Sequence, residues 1–218
     1  MDPFDWGVIA RSMDFLAAGM ALSALLVVVA TLGGVVGGAG LAALRRSPRR
    51  FLSAPAAGYV GVMRSVPLVL VLFWFYFLVP LAIGRPIGAL TSALVAFVLF
   101  EAAFYCEIIR AGIANVRRGQ SQAAAATGLR PWQALRLVIL PQALRAMVPV
   151  LLNQIIIVFQ DTSLVYVVAL RDFMTSASVI ASRDGRPIEM YTLVAVVYFA
   201  ICFVGSYALQ RRRKLNYR

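Results

Sequence analysis

A few charged side chains interrupt the long apolar runs of this 218-residue sequence. Arg64 and Glu101 lie inside two such runs, and Asp161 directly follows a third. A charge at the centre of a bilayer costs about 2.5–3.5 kcal/mol on insertion scales, so a charge kept there indicates function. The planar guanidinium of arginine binds carboxylates through two parallel hydrogen bonds, and a carboxylate is a natural partner for an ammonium group. The candidate substrate-binding residues are Arg64, Ser65, Pro67, Glu101, Gln160, Asp161, Thr162 and Ser163.

The same residues also have a structural interpretation, which the sequence leaves open. Arg64 can pair with Glu101 or Asp161 and lock two helices together. Glu107 and Arg110 lie three residues apart and can pair on one helix face, which favours a structural or gate pair over a ligand contact. Pro67 frees a helix carbonyl close to Arg64, and that carbonyl needs a bundle interior or a wet cavity. The proline therefore favours a ligand path beside Arg64.

The elements that position these side chains are membrane helices. Hydrophobic residues make up 61% of the chain and charged residues only 14%, whereas a soluble domain carries about a quarter charged residues. A span needs about 20 apolar residues. The apolar runs predict one all-α, polytopic membrane domain over 1–218 with about five spans. These are expected at about 12–44, 56–79, 88–111, 143–169 and 189–210.

The positions of glycine and arginine predict how the first span packs and how the chain is oriented in the membrane. Two overlapping GxxxG spacings, Gly33/Gly37 and Gly34/Gly38, predict that another helix approaches the first span closely. Arginines cluster at 45–50, between spans three and four, and at 211–214. With five spans these clusters share one side, so the positive-inside rule predicts the N-terminus outside and the C-terminus inside. The net charge of +12 is explained by orientation, and no nucleic-acid partner is expected.

Several chemistries have little support in this sequence. It contains no histidine, and its two cysteines lie in apolar segments, so we expect neither a metal site nor a hydrolase site. No G-x-x-x-x-G-K-[ST] motif is present, so ATP would have to be bound by another polypeptide.

One segment fits neither a span nor a flexible loop. Residues 121–141 read SQAAAATGLRPWQALRLVILP. The alanines favour a helix, Gly128 is placed to end it in a left-handed conformation, and Pro131 suits the first turn of the next helix. Pro141 is predicted to stop this second helix and begin another. We therefore expect two short helices at the membrane surface, and either an ordinary interfacial role or a docking role fits them.

The sequence of this segment resembles the cytoplasmic signature of bacterial ABC importer permeases, which reads E-A-A, three residues, G, nine residues, I, one residue, L-P. Gln122 stands where that family has glutamate, and Val138 where it has isoleucine. MRSVPLVLVLFWFY at 63–76, FEAAFYCEIIRAGI at 100–113 and FQDTSLVYV at 159–167 resemble further family motifs. Together they resemble the polar amino-acid uptake branch, and most closely its glutamate/aspartate permease subunits.

The resemblance implies a type I importer permease fold in the bacterial inner membrane. The chain would pair with a second permease chain, identical or related, and with two ATPase subunits that hold ATP and Mg²⁺. An external binding protein would deliver the amino acid, and the chain itself would carry no cofactor and no catalytic activity. The residues expected to couple to the ATPase are Gln122, Ala123, Ala124, Gly128, Val138, Leu140 and Pro141.

Other classes of protein explain less of the sequence. An ion-coupled secondary amino-acid transporter could use the intramembrane acids as proton carriers. Inverted repeats are expected in that class, but the sequence shows none. A structural scaffold would leave the membrane-embedded charges unexplained.

Overall fold

Long helices account for most of the chain. The computed structural model describes residues 4–216, with side chains as far as residue 207, so the basic side chains at 211–214 lie outside the described part. Two π-helical turns, Trp74–Leu78 and Leu135–Ile139, and one 3-10 helix, Thr162–Val168, join helices end to end. The α-helices are α1 Trp6–Arg11, α2 Met13–Arg45, α3 Arg50–Ser65, α4 Leu68–Phe73, α5 Val79–Ile83, α6 Ala89–Ala114, α7 Arg118–Ala126, α8 Pro131–Ala134, α9 Leu140–Asp161, α10 Phe173–Asp184 and α11 Pro187–Asn216.

Within residues 4–216, four helical stretches are long and apolar enough to cross a membrane: α2, α6, Pro131–Val168 and Pro187–Tyr207. A fifth is added if Arg50–Ser65 and Leu68–Ile83 form one broken span. The count of about five spans is therefore confirmed.

The second predicted span, 56–79, is wrong as a single helix. The chain bends by 109° between α3 and the stretch Leu68–Ile83. Val66 is extended, with φ −112° and ψ 138°, because the ring of Pro67 disfavours the helical conformation of the preceding residue. The proline thus divides the span into two helices and leaves Arg64 in the last turn of α3, at the corner.

The glycines of α2 bring its backbone against α6. Gly34 and Gly38 are both buried. A Cβ atom on Gly34 would lie 2.8 Å from the Cβ of Glu101, and one on Gly38 would lie 2.7 Å from the backbone nitrogen of Cys106. Close approach at the GxxxG spacings is therefore confirmed, and the partner helix is α6 of the same chain.

Both π-helical turns end two residues before a proline, Pro80 or Pro141. A proline inside a helix removes one hydrogen bond, and its ring crowds the carbonyl four residues earlier. A widened turn just before the ring is one way for a helix to pass a proline. Pro141 therefore does not stop the helix as expected, and α8 continues through the π turn into α9.

The polar segment 171–187 contains the helix α10, which is buried on one face. The Asp172 carboxylate caps this helix by accepting hydrogen bonds from the backbone N–H groups of Met174 (3.1 Å) and Thr175 (3.0 Å). The N–H of Phe173 donates to Ser23 Oγ of α2 at 3.2 Å. Ala177 and other apolar residues on one face are fully buried. This helix therefore packs into the bundle through its apolar face.

Candidate functional site

Arg64 lies at the corner that Pro67 creates. Its guanidinium carbon lies 5.6 Å from the centroid of the Phe104 ring on α6, a cation–π distance. The neighbouring Ser65 hydroxyl donates to the carbonyl of Gly61 at 2.8 Å. Within the described side chains Arg64 forms no ion pair. The pairing of Arg64 with Glu101 or Asp161, which the sequence left open, is therefore not formed among the described side chains.

An open cavity of about 250 Å³ lies beside Arg64. The walls come mainly from α6 and α9 and are mostly apolar. The lining residues are Arg64, Phe104, Glu107, Ile108, Ala111, Gly112, Asn115, Ala146, Met147 and Val150. The cavity thus exposes one unpaired guanidinium on an otherwise largely apolar surface, which suits an anionic group.

Glu107 contributes no free negative charge to this cavity. It accepts two hydrogen bonds from Arg110, as the three-residue spacing predicted, and one from Arg45 in the last turn of α2 at 2.5 Å. Two guanidinium groups therefore share one carboxylate. Arg64, Arg45 and Arg110 thus place three positive charges in or beside the cavity, and Glu107 places one negative charge there. Sequence reasoning missed Arg45, because only the packing of α2 against α6 brings the ends of these helices together.

Glu101 lies away from the Arg64 cavity. Its side chain is fully buried, and one carboxylate oxygen accepts a hydrogen bond from Gln154 of α9 at 3.0 Å. The other oxygen has no hydrogen-bond partner among the described residues. Its Cβ packs against Gly34 of α2. The Glu101 side chain therefore lies where α6 packs against both α2 and α9.

The polar residues at 160–163 mark the point where α9 tightens into the 3-10 helix. The hydroxyls of Thr162 and Ser163 donate to the carbonyls of Phe159 and Gln160, both at 2.8 Å. These local bonds satisfy the hydroxyls within their own turn. Asp161 is half-buried and forms no ion pair with any described side chain. Of the eight candidate substrate-binding residues, only Arg64 lines the cavity between α6 and α9.

The segment 121–141 ends α7 in a Schellman motif. Gly128 has φ +79°, its N–H donates to the carbonyl of Ala125 at 3.0 Å, and the N–H of Leu129 donates to the carbonyl of Ala124 at 3.2 Å. These two bonds satisfy carbonyls that the helix end would leave unpaired. Gln133 then accepts from the N–H of Arg130 at 2.9 Å and orders the first turn of α8. The predicted glycine cap and proline start are therefore both present.

This segment leaves most of its small and apolar side chains uncovered. Ala124 alone of the four consecutive alanines faces its own chain, with 4% of its surface exposed. Gln122, Ala123 and Gly128 are exposed, as are Trp132 (58%) and Leu137 (62%). The remaining predicted coupling residues are half-buried Val138 and Leu140 and exposed Pro141. We call the exposed part of residues 121–141 the coupling surface.

Known proteins similar to this chain share both its sequence and its fold. The glutamate/aspartate import permease protein GltK of Escherichia coli O6:H1 is 47% identical over 213 residues, which cover 94% of this chain and 95% of the relative. The glutamine transport system permease protein GlnP of Escherichia coli K12 is 33% identical over 95% of each chain. A crystal structure of an amino acid ABC transporter with histidines superposes with a TM-score of 0.90 at 29% identity, covering 96% of this chain and 98% of that one.

The family of binding-protein-dependent transport system inner membrane components matches residues 34–213. That range contains the Arg64 corner, the cavity between α6 and α9, and the coupling surface. The chain belongs to this family and is an inner-membrane permease subunit of an ABC importer.

Proposed function

We propose that this permease imports an acidic amino acid, glutamate or aspartate. The observation that carries the proposal is the surplus of positive charge at the cavity, where Arg64 has no ion pair with any described side chain and the Glu107 carboxylate is shared by Arg45 and Arg110. Electrostatic attraction is strong in a cleft with low-dielectric walls. The name of GltK, which is similar to this chain over nearly its whole length, supports the same substrate class.

The permease works with proteins that supply the energy and the substrate. We propose two ATPase subunits that bind ATP and Mg²⁺, a second permease chain of the same or a related sequence, and an external amino-acid-binding protein. The coupling surface faces the cytoplasm, with the N-terminus of the chain outside. An ATPase subunit docks there on Ala123, Gly128 and Trp132. Their exposure supports this docking, because small and apolar side chains in water are stabilised when a partner covers them.

In this mechanism Arg64 receives the substrate carboxylate. The guanidinium forms paired hydrogen bonds with a carboxylate, and the Phe104 ring holds the guanidinium in place from one side. Movement of the ATPase subunits reaches the cavity through α8 and α9, because these helices are continuous from the coupling surface to the cavity wall at Met147 and Val150.

The complete importer, reconstituted in proteoliposomes with its ATPase and binding protein, tests this role. We expect Arg64→Ala to lower uptake of labelled glutamate at least about tenfold, since a hydrogen bond to a charged group is worth about 1.5–3 kcal/mol. Arg85→Ala is the matched control, because Arg85 is exposed in the turn before α6 and should leave uptake within about twofold. Co-purification with the ATPase checks assembly. Loss of assembly in Arg64→Ala would show a helix-locking role instead.

The same vesicles separate this function from ion-coupled transport. Uptake should require ATP inside the vesicles and should stop when ATP is omitted. Uptake that continues without ATP and follows a proton gradient would contradict the proposal.

A further inference from the structure

A second open cavity, of about 340 Å³, adjoins the Arg64 cavity. The two cavities share three lining residues: Gly112 and Asn115 at the end of α6, and Ala146 on α9. The further walls of the second cavity come from the loop before α7, from α7 itself and from the first turn of α9. The space beside Arg64 therefore continues toward the coupling surface. We call this second cavity the lower chamber.

The lower chamber differs from the Arg64 cavity in its chemistry. Besides the shared residues it is lined by Val116, Arg117, Gln120 and Gln142, so its wall is more polar than that of the Arg64 cavity. None of its seven lining residues carries a carboxylate. One positive charge and three side-chain amides therefore surround a space about as large as the smaller ligand pockets, which begin at about 300 Å³.

The two spaces adjoin at Gly112, where the α6 backbone lies close to the Met147 side chain of α9. At Gly112 an added Cβ atom would overlap the thioether side chain of Met147 on the opposite wall. Met147 itself is 3% exposed. The α6 backbone and this one flexible side chain thus touch where the two cavities meet, and rotation of an unbranched methionine opens such a contact at low cost. We call this contact the neck.

We infer that the lower chamber is a second carboxylate site, in which Arg117, Gln120 and Asn115 receive the acidic amino acid after it passes the neck from Arg64. This inference rests on the proposed function. Arg117 supplies the charge, and the amide N–H groups of Gln120 and Asn115 are the hydrogen-bond donors for carboxylate oxygens, because Gln142 already donates to the carbonyl of Val138 at 2.8 Å. Gln142 also donates to Gln120 Oε1 at 3.1 Å, linking α9 to α7 across the chamber. Movement of α7 at the coupling surface therefore changes the chamber directly.

Two neighbouring arginines provide a matched test in the reconstituted importer. Arg117 lines the chamber, whereas Arg118 is the exposed first residue of α7 and does not. We expect Arg117→Gln to lower the rate of glutamate uptake about tenfold and Arg118→Gln to stay within about twofold. Equal glutamate uptake by the two variants would overturn the inference of a second site. The proposed function would still stand in that case, provided that the wild type takes up glutamate. Absence of glutamate uptake by the wild type would overturn both.

The neck gives an independent test by double substitution. Gly112→Ala should slow glutamate uptake about tenfold, because the new methyl group presses on the Met147 side chain. Adding Met147→Ala should restore uptake, since the shorter side chain leaves room. Gly40→Ala is the control, because a Cβ atom there meets nothing within 4 Å. Uptake of aspartate by Gly112→Ala is compared with uptake of glutamate, because loss of folding would slow both substrates equally. The shorter aspartate should be slowed less than glutamate. Equal slowing of the two substrates, or no slowing, would contradict the neck.

Discussion

Two runs of small residues are used in opposite ways in this permease. The glycines at 33–38 of α2 lie against α6, with Gly34 and Gly38 buried. The alanines at 123–126 of α7 are mostly exposed, and only Ala124 faces the chain itself. Small side chains let another backbone approach closely. In the first run that backbone belongs to the same chain, whereas in the second the covering surface belongs to a partner under the proposed function.

The difference shows what a run of small residues can and cannot tell. The run indicates that something packs closely there, because a glycine or alanine surface gains little by contact with water or lipid alone. It does not indicate whether the packed element is in the same polypeptide. The residues around the coupling surface supply that second piece of information: Trp132 and Leu137 are exposed beside it, so the uncovered area extends beyond the alanines.

The largest effect is expected where the small residue is covered by the chain's own helix. Gly38→Leu should destabilise the permease by about 3 kcal/mol or more, because a side chain at Gly38 meets the α6 backbone at Cys106, which cannot rotate away. Gly40→Leu, two residues later on α2, serves as the control, because a Cβ atom at Gly40 meets nothing within 4 Å. Thermal unfolding midpoints of the purified permease measure the difference, and equal midpoints would show that the α2–α6 contact tolerates a side chain.

A smaller effect on folding, but a large effect on assembly, is expected at the uncovered run. Ala123→Asp should leave the unfolding midpoint of the permease unchanged and weaken ATPase binding about a hundredfold, because the interface would bury an unpaired charge. Ala124→Asp should also lower the midpoint, since Ala124 is buried against its own chain. Affinity of the ATPase for the detergent-solubilised permease is the measurement. Normal binding by Ala123→Asp would mean that the ATPase contacts another surface.

The smallest effect is expected at the residue where this chain departs from the family signature. Gln122→Glu keeps the side-chain length and adds one negative charge on the exposed side of α7. We expect ATPase affinity to change by less than about threefold, because an exposed polar contact contributes under about 1 kcal/mol. The same binding assay measures it, preferably at two salt concentrations. A change of tenfold or more would show that the glutamate position is a buried contact.

Features governed by local chemistry were predictable from the sequence. The spans follow from apolar length, and the left-handed Gly128 and the helix start at Pro131 follow from backbone preferences of single residues. Proline was harder to interpret, because its effect depends on what surrounds it. Pro67 divides its span completely, whereas Pro141 is accommodated by a π turn within a helix that continues. Val66, before Pro67, is extended, whereas Leu140, before Pro141, stays helical, so the same residue type ends one helix and is carried within another.

The candidate site shows the same limit. The sequence alone determined that Arg64, Glu101 and Asp161 are charges inside apolar segments, and the three-residue spacing determined that Glu107 can pair with Arg110. Only the tertiary structure decided that Arg64 faces a cavity without an ion-pair partner among the described side chains, that Glu101 is enclosed by α2 and Gln154, and that Arg45 completes the pair at Glu107. The physical reason is that the cost of burying a charge can be read from one chain segment, whereas the group that offsets this cost comes from whichever helix is packed against it.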